Sequence, residues 1–241
     1  MSQTFTLCMA TDTLVDDAQQ IGVTVDELRR IGIQVTAKIV QRPTLHLQLT
    51  YYITVPTPSL AAKLNWPAWQ TKQIGFSDYL WEETCLECFI TGSLAKNKVD
   101  YVKNAESYIE INASPDGRYA LYRFESYRNP STLPPTPLYH MDRHERIGIY
   151  WDDKSLQQRS PVDTSLSTKS SLASTIPSYE RRFGILLNQL PKQQYAFNNT
   201  VVEYIHPCVI LKFNETALYF APRHASPPDF HNRHYWSKFK G

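Results

Sequence analysis

Apolar and polar residues alternate with period two through much of the chain. Leu45, Leu47, Leu49 and Tyr51 share one parity within residues 44–55, and residues 33–40 alternate in the same way. Side chains on a strand point to its two faces in turn, so this alternation predicts half-buried strands, the second ended by Pro56 and Pro58. Strands are also expected over 79–91, 147–151, 183–190 and 195–204, with a hairpin over 207–213 and 217–222. The clearest local signal is a hairpin over 107–113 and 118–127, joined by Ser114-Pro-Asp-Gly117. Pro and Asp supply turn geometry there, and Gly117 supplies a positive φ. Helical patterning is scarce. Thr24 with Glu27 three positions on forms a capping box before a short helix ending near Ile31. Many short strands and few helices predict an all-β antiparallel β-sandwich, one domain over residues 1–241. Residues 152–180, rich in Ser, Thr, Lys and Gln, read as a flexible insertion without a core of its own.

Parity also assigns faces. Trp81, Glu83, Cys85, Glu87 and Phe89 point one way, and Leu86, Cys88 and Ile90 point toward the core. In the hairpin, Tyr108, Glu110 and Asn112 share a face opposite Ile109, Ile111 and Ala113. An even-length turn through 114–117 adds Tyr119, Leu121 and Arg123 to the Glu110 face. One sheet face then collects Trp81, Glu87, Tyr108, Glu110, Asn112 and Arg123. An indole stacks on the C–H face of a pyranose, and planar polar groups pair with its hydroxyls, so this set suits a small sugar or sugar-like ligand. The plainer alternative is a Glu–Arg ion pair on a solvated or inter-sheet face.

Composition trims the function classes. Only 8 of 241 residues are Gly, and the closest two are ten positions apart, which excludes the clustered glycines of a dinucleotide fingerprint or a P-loop. A net charge of +2 makes no electrostatic case for nucleic acid. No run approaches 18 apolar residues, so no membrane span is expected. The first residues lack a basic segment followed by an apolar one, and four cysteines are too few for a disulfide framework. The expectation is a cytoplasmic protein with reduced thiols.

Three segments carry a resemblance. They are Leu80-Trp-Glu-Glu-Thr-Cys-Leu-Glu-Cys-Phe89, the stretch from Tyr108-Ile-Glu-Ile-Asn-Ala113 through Ser-Tyr-Arg128, and Pro227-Pro-Asp-Phe-His231. In this order the chain resembles bacterial DOMON-like proteins, which are related to family 9 carbohydrate-binding modules. The likeness runs over about residues 33–239 around the insertion. It implies a DOMON-type β-sandwich, whose superfamily members bind sugars or haem on a sheet face. Sugar-binding relatives hold a terminal sugar between two aromatics, with a carboxylate and an Arg beside it. By that likeness Trp81 is one aromatic, Glu87 the carboxylate and Arg123 the basic group, with Trp69 or Trp236 as candidates for the second aromatic.

Other chemistries are weaker. Cys85 and Cys88 fall on opposite faces of a strand, which makes a poor zinc pair. His224, His231 and His234 lie near Asp229 without a standard ligand spacing, and Pro227–His231 is expected as a turn in which Asp229 accepts backbone N–H groups. Glu87 and Glu110 have the makings of a glycosidase pair, but an adjacent Arg123 would keep both ionised and remove the acid. Residues 233–240 are expected as a docked C-terminal strand. The function expected is therefore non-catalytic carbohydrate binding, with no cofactor and no metal. A haem-binding domain, a glycosidase-like enzyme and a protein-interaction domain are the alternatives.

Overall fold

The alternating segments become the strands of one strongly curled, mixed sheet, seen in a computed structural model that describes residues 2–92, 107–140, 144–152, 176–190 and 202–240. In chain order the elements are β1 (Ser2–Met9), α1 (Leu14–Ile21), α2 (Val25–Arg29), β2 (Gly32–Val40), β3 (His46–Thr54), α3 (Pro58–Ala61), β4 (Gly75–Phe76) and β5 (Cys85–Gly92). They continue with β6 (Tyr108–Ala113), β7 (Arg118–Phe124), β8 (Tyr150–Trp151), β9 (Ser178–Leu186), β10 (Val202–Phe213), β11 (Thr216–Ala221) and β12 (Ser237–Lys238). The sheet order is β4-β7-β6-β5-β10-β11-β1-β2-β3-β9-β8, with β12 on β10. All named pairs are antiparallel except β4 with β7.

β1 turns the corner. Its first six residues pair with β2, and Cys8 and Met9 pair with β11. The curl brings distant strands together, so that the Tyr51 hydroxyl of β3 donates to the Glu87 carbonyl of β5 at 2.6 Å. One continuous core fills the inside, with Val35 and Leu49 from one half meeting Leu86, Ile111 and Val209 from the other. Burying such side chains contributes roughly 1.5–3 kcal/mol each, which is why inward positions are almost wholly apolar.

Strands β5, β6, β7 and β10 are buried on their other face as well. Cys85, Phe89, Tyr108, Tyr122, Phe124 and Cys208 form a second cluster there, covered by Phe230 and Trp236 from the C-terminal segment. Cys85 and Cys88 thus belong to different clusters, as alternation requires.

Several elements depart from expectation. Residues 80–82 are a 3-10 turn and the strand begins at Cys85, so Trp81 reaches its face from beyond the strand end. The strand expected over 147–151 has two residues, Tyr150 and Trp151. β9 begins at Ser178, inside the expected insertion, and 153–175 lie outside the described residues, as do 195–201. β1 and α1 occupy a stretch whose alternation (Phe5 and Leu7 buried) is short and interrupted. The capping box is present: Thr24 Oγ1 accepts from Glu27 N–H at 3.2 Å, and the Glu27 carboxylate accepts from Thr24 N–H at 3.0 Å.

The hairpin register decides the site. Arg118 O accepts from Ser114 N–H at 2.9 Å, and Gly117 at φ +114° closes a three-residue loop over 115–117. Glu110 therefore faces Tyr122, and Arg123 faces Ile109. The loop is odd in length, and a slip of one residue moves every side chain to the other face. Arg123 is accordingly on the Ile109 side of the sheet, away from Glu87 and Glu110. This corrects the expectation of an even-length turn.

Candidate functional site

Glu87 on β5 and Glu110 on β6 lie on the outer face, and both line a cavity of about 430 Å³. The ladder pairs Glu87 with Asn112 and Phe89 with Glu110, so the two carboxyls are diagonal neighbours. They are 3% and 5% exposed. Phe89, Phe124, Ile210 and Phe230 form the apolar wall, and Trp81 closes one side. Trp81 is held edge-on by Tyr122, centroids 5.8 Å apart, and by Tyr79 at 5.3 Å. The rim comes from two loops: 128–135, with Arg128 and several prolines, and 228–231.

Those loops are tied to the strands by polar contacts. Arg128 donates to Asp229 Oδ1 at 2.8 Å, Tyr127 OH to Oδ2 at 2.7 Å, and His231 N–H to Oδ1 at 3.1 Å. Burial works against the Asp229 charge, but the bonds from Tyr127 and Arg128 outweigh it and hold its carboxyl below the usual range. Asp229 thus caps its own turn as expected and also anchors Arg128. Arg128 has φ +49° and Tyr79 φ +64°, a left-handed conformation that non-glycine residues seldom adopt. Both flank the cavity or its Trp, whereas Asn214, the third such residue among those described (φ +51°), sits in the turn between β10 and β11.

A directed chain runs behind the wall. The Arg128 backbone N–H donates to Tyr108 Oη at 3.1 Å, and Tyr108 Oη lies 2.7 Å from His231 Nδ1, an arrangement in which the hydroxyl can donate to the ring. In that tautomer Nδ1 accepts and Nε2 carries the hydrogen; Nε2 stands 3.7 Å from Glu110 Oε2. Burial, with the Arg128 charge, pushes the His231 pKa down to about 4, so the ring is neutral at neutral pH. Asn112 Nδ2 donates to Glu110 Oε1 at 2.7 Å. Burial pushes both Glu87 and Glu110 above the usual carboxylate range, and the Glu110 charge pushes Glu87 further. The Asn112 bond and the Arg128 charge favour the ionised Glu110 less than burial opposes it, and Arg123, on the other face, does not take the expected part.

Comparisons with known proteins add little. No protein-family model matches the chain, and no curated protein matches it. Among solved structures the chain is similar to one described as a putative carbohydrate-binding protein from Bacteroides uniformis. The TM-score is 0.48 at 10% identity, over 98% of this chain and 84% of that one.

Of the residues expected at the site, Trp81, Glu87 and Glu110 line the cavity. Tyr108 and Asn112 stand behind it, joined to His231 and Glu110. Arg123 lies on the other face, and Arg128 is the guanidinium that reaches the rim. Neither candidate for the second aromatic faces Trp81. Trp236 is buried under the wall, edge-on to Tyr108 at 5.3 Å and donating its Nε1–H to Phe230 O at 2.9 Å. Trp69 packs on Trp151 near Gly117. Arg128, Asp229 and His231 escaped parity reasoning because they lie in loops, where no periodicity points at a face. Among the described residues no three His, Cys, Asp or Glu side chains gather as a metal site needs, and no helix is long and apolar enough to cross a membrane.

Proposed function

We propose that this cavity binds a carbohydrate or similar small polyol without catalysis, on a DOMON-type β-sandwich. The observation that carries the reading is the pair of buried carboxyls, Glu87 and Glu110, beside the Trp and Phe rings that line the same cavity. Buried carboxyls are costly, and apolar residues would pack the same volume at lower free energy, so their presence in an open cavity points to a ligand. Trp81 and the neighbouring Phe rings offer the C–H faces of a sugar an apolar surface, and the carboxyls with Arg128 meet its hydroxyls. The three segments resembling DOMON-like proteins all contribute to this one cavity: Trp81, Glu87 and Phe89 from the first, Glu110, Phe124 and Arg128 from the second, and Asp229, Phe230 and His231 from the third. The volume suits one sugar unit rather than a long chain.

The raised carboxyls favour one second reading, a glycosidase-like enzyme, because hydrolysis needs a protonated acid beside an ionised partner. Haem, which the resemblance also allows, needs His231 Nε2 as an iron ligand, and that nitrogen faces Glu110. Tryptophan-fluorescence titration with mono- and disaccharides, wild type beside Trp81→Ala, tests binding. A saturable change lost in the variant is expected, and no change with any sugar at millimolar concentration contradicts it. Release of reducing sugar, lost in Glu87→Gln, would select the enzyme, and a Soret band in purified protein would select haem.

A further inference from the structure

We infer that the two cavity carboxyls play opposite hydrogen-bonding parts, Glu110 as acceptor and Glu87 as proton-bearing donor, so that the cavity selects an uncharged ligand presenting two neighbouring hydroxyls. The ligand class rests on the carbohydrate reading above, whereas the division of roles rests on the different surroundings of the two carboxyls.

The environments of the two carboxyls differ. Glu110 accepts a strong hydrogen bond and has His231 and Arg128 on its other side. Asn112 Nδ2–H reaches Oε1 at 2.7 Å, and the Arg128–Tyr108–His231 chain leaves Nε2–H turned to Oε2 at 3.7 Å. The Asn112 bond and the Arg128 charge favour the ionised form of Glu110. Glu87 has only the Cys85 thiol, a weak donor, among the described side chains that hydrogen-bond it. Opposite Glu87 in the ladder stands Asn112, fully buried, whose Oδ1 has no donor. The amide cannot turn to relieve this without surrendering its bond to Glu110. A proton on Glu87 supplies a donor on that same face, and a second ionised carboxylate there would supply only another acceptor. One proton on the pair, carried by Glu87, is the arrangement that leaves fewest buried groups unmatched.

The remaining groups around Glu87 add no positive charge to oppose this. They are Cys85 from its own strand, Cys208 from β10, Tyr219 from β11 and Tyr51 from β3, and burial raises each of these thiols and hydroxyls so that they stay protonated and neutral. Beyond Glu110, His231 is neutral and Arg128 is paired with Asp229. A hydroxyl both donates and accepts, so adjacent hydroxyls of a sugar match a carboxylic acid beside a carboxylate. An ammonium donates but cannot accept, so beside Glu110 it would leave the Glu87 proton unmatched, and an anionic ligand would meet the Glu110 charge. The sign of the pH dependence follows: as rising pH strips Glu87 of its proton, a donor is lost and two like charges share the face, so affinity for a neutral sugar falls.

Two measurements separate the division of roles from the carbohydrate reading. In the ligand-free protein with 13C-labelled Glu, NMR should show one carboxyl still protonated at pH 7, absent in Glu87→Gln. A spectrum with every Glu ionised at pH 7, or a protonated signal that survives Glu87→Gln and vanishes in Glu110→Gln, overturns the assignment whether or not any sugar binds. In calorimetric titrations with glucose, galactose, mannose and glucosamine, Glu87→Gln, whose amide still donates, should bind the best neutral sugar within about threefold of wild type and lose the decline seen with rising pH. Glu110→Gln should lose at least about tenfold, and glucosamine should bind less well than its neutral counterpart. Equal losses in the two variants, or preference for the amine, contradict the proposed roles. Failure of the wild type to bind any neutral sugar overturns the carbohydrate reading, and the NMR spectrum alone then decides which carboxyl holds the proton.

Discussion

The two faces of β5 and β6 have the same strands, the same burial and opposite chemistry. Inward, Leu86, Cys88, Ile90, Ile109, Ile111 and Ala113 join a continuous apolar core. Outward, Glu87, Glu110 and Asn112 are buried to the same degree, among Phe89, Tyr108 and Cys85. Burial alone therefore does not dictate composition here. The inner face shows what packing asks for, and the outer face departs from it at the positions that line a cavity. The contrast supports the proposal that the carboxyls serve a ligand rather than the packing of the fold.

That comparison can be broken from either side. The largest effect is expected on the inner face: Ile111→Ala removes a fully buried side chain and should cost about 2–5 kcal/mol, read as a lower urea midpoint with an unchanged slope. On the outer face Glu87→Leu should do the reverse, raising the unfolding free energy read from urea curves at pH 8 by on the order of 1 kcal/mol or more while abolishing ligand binding. A loss of stability there would mean that the outer carboxyl, like the inner side chains, serves the fold.

Titration sharpens the contrast. Glu87 and Glu110 have folded-state pKa values above their ordinary 4.5, so the native state holds extra protons and their contribution is full below about pH 4.5 and lost as pH rises toward and past neutral. His206 and His231 are pushed down by burial to about 3 and about 4, so their contribution is present above pH 6.5 and lost as pH falls through those values. The double variant Glu87→Gln/Glu110→Gln should keep the acid-side loss and flatten the alkaline-side decline, measured as urea midpoints from pH 4 to 9. A smaller effect is expected at the hairpin tip. Gly117→Ala places a Cβ at φ +114°, 3.3 Å from Trp69 and Ile74, and should cost roughly 1 kcal/mol in thermal unfolding.

Much of the strand set was legible because alternation is a local signal. Leu45, Leu47 and Leu49 announce β3, Thr24 and Glu27 announce the cap of α2, and the opposite facing of Cys85 and Cys88 follows from their spacing. The site was half legible for the same reason. Glu87, Glu110 and Asn112 could be placed on one face from parity within each strand, but carrying parity across the turn needed a loop length that Ser114-Pro-Asp-Gly117 does not spell out. A three-residue loop with Gly117 in a positive φ put Tyr122 opposite Glu110 and sent Arg123 to the other side. Arg128, Asp229 and His231 reach the cavity from loops about a hundred residues apart in the chain, and only tertiary packing brings them together. The curl of the sheet, with Tyr51 of β3 bonded to the backbone of β5, is likewise a long-range event that no local pattern records.

The most direct test of the outer face as the ligand face is chemical-shift mapping with a neutral monosaccharide panel. Saturable shifts should gather at the Trp81 indole, Arg128 and His231 and leave the inner-face methyls of Leu86, Ile109 and Ile111 unmoved. Shifts confined elsewhere, or none with any sugar at millimolar concentration, would contradict the account.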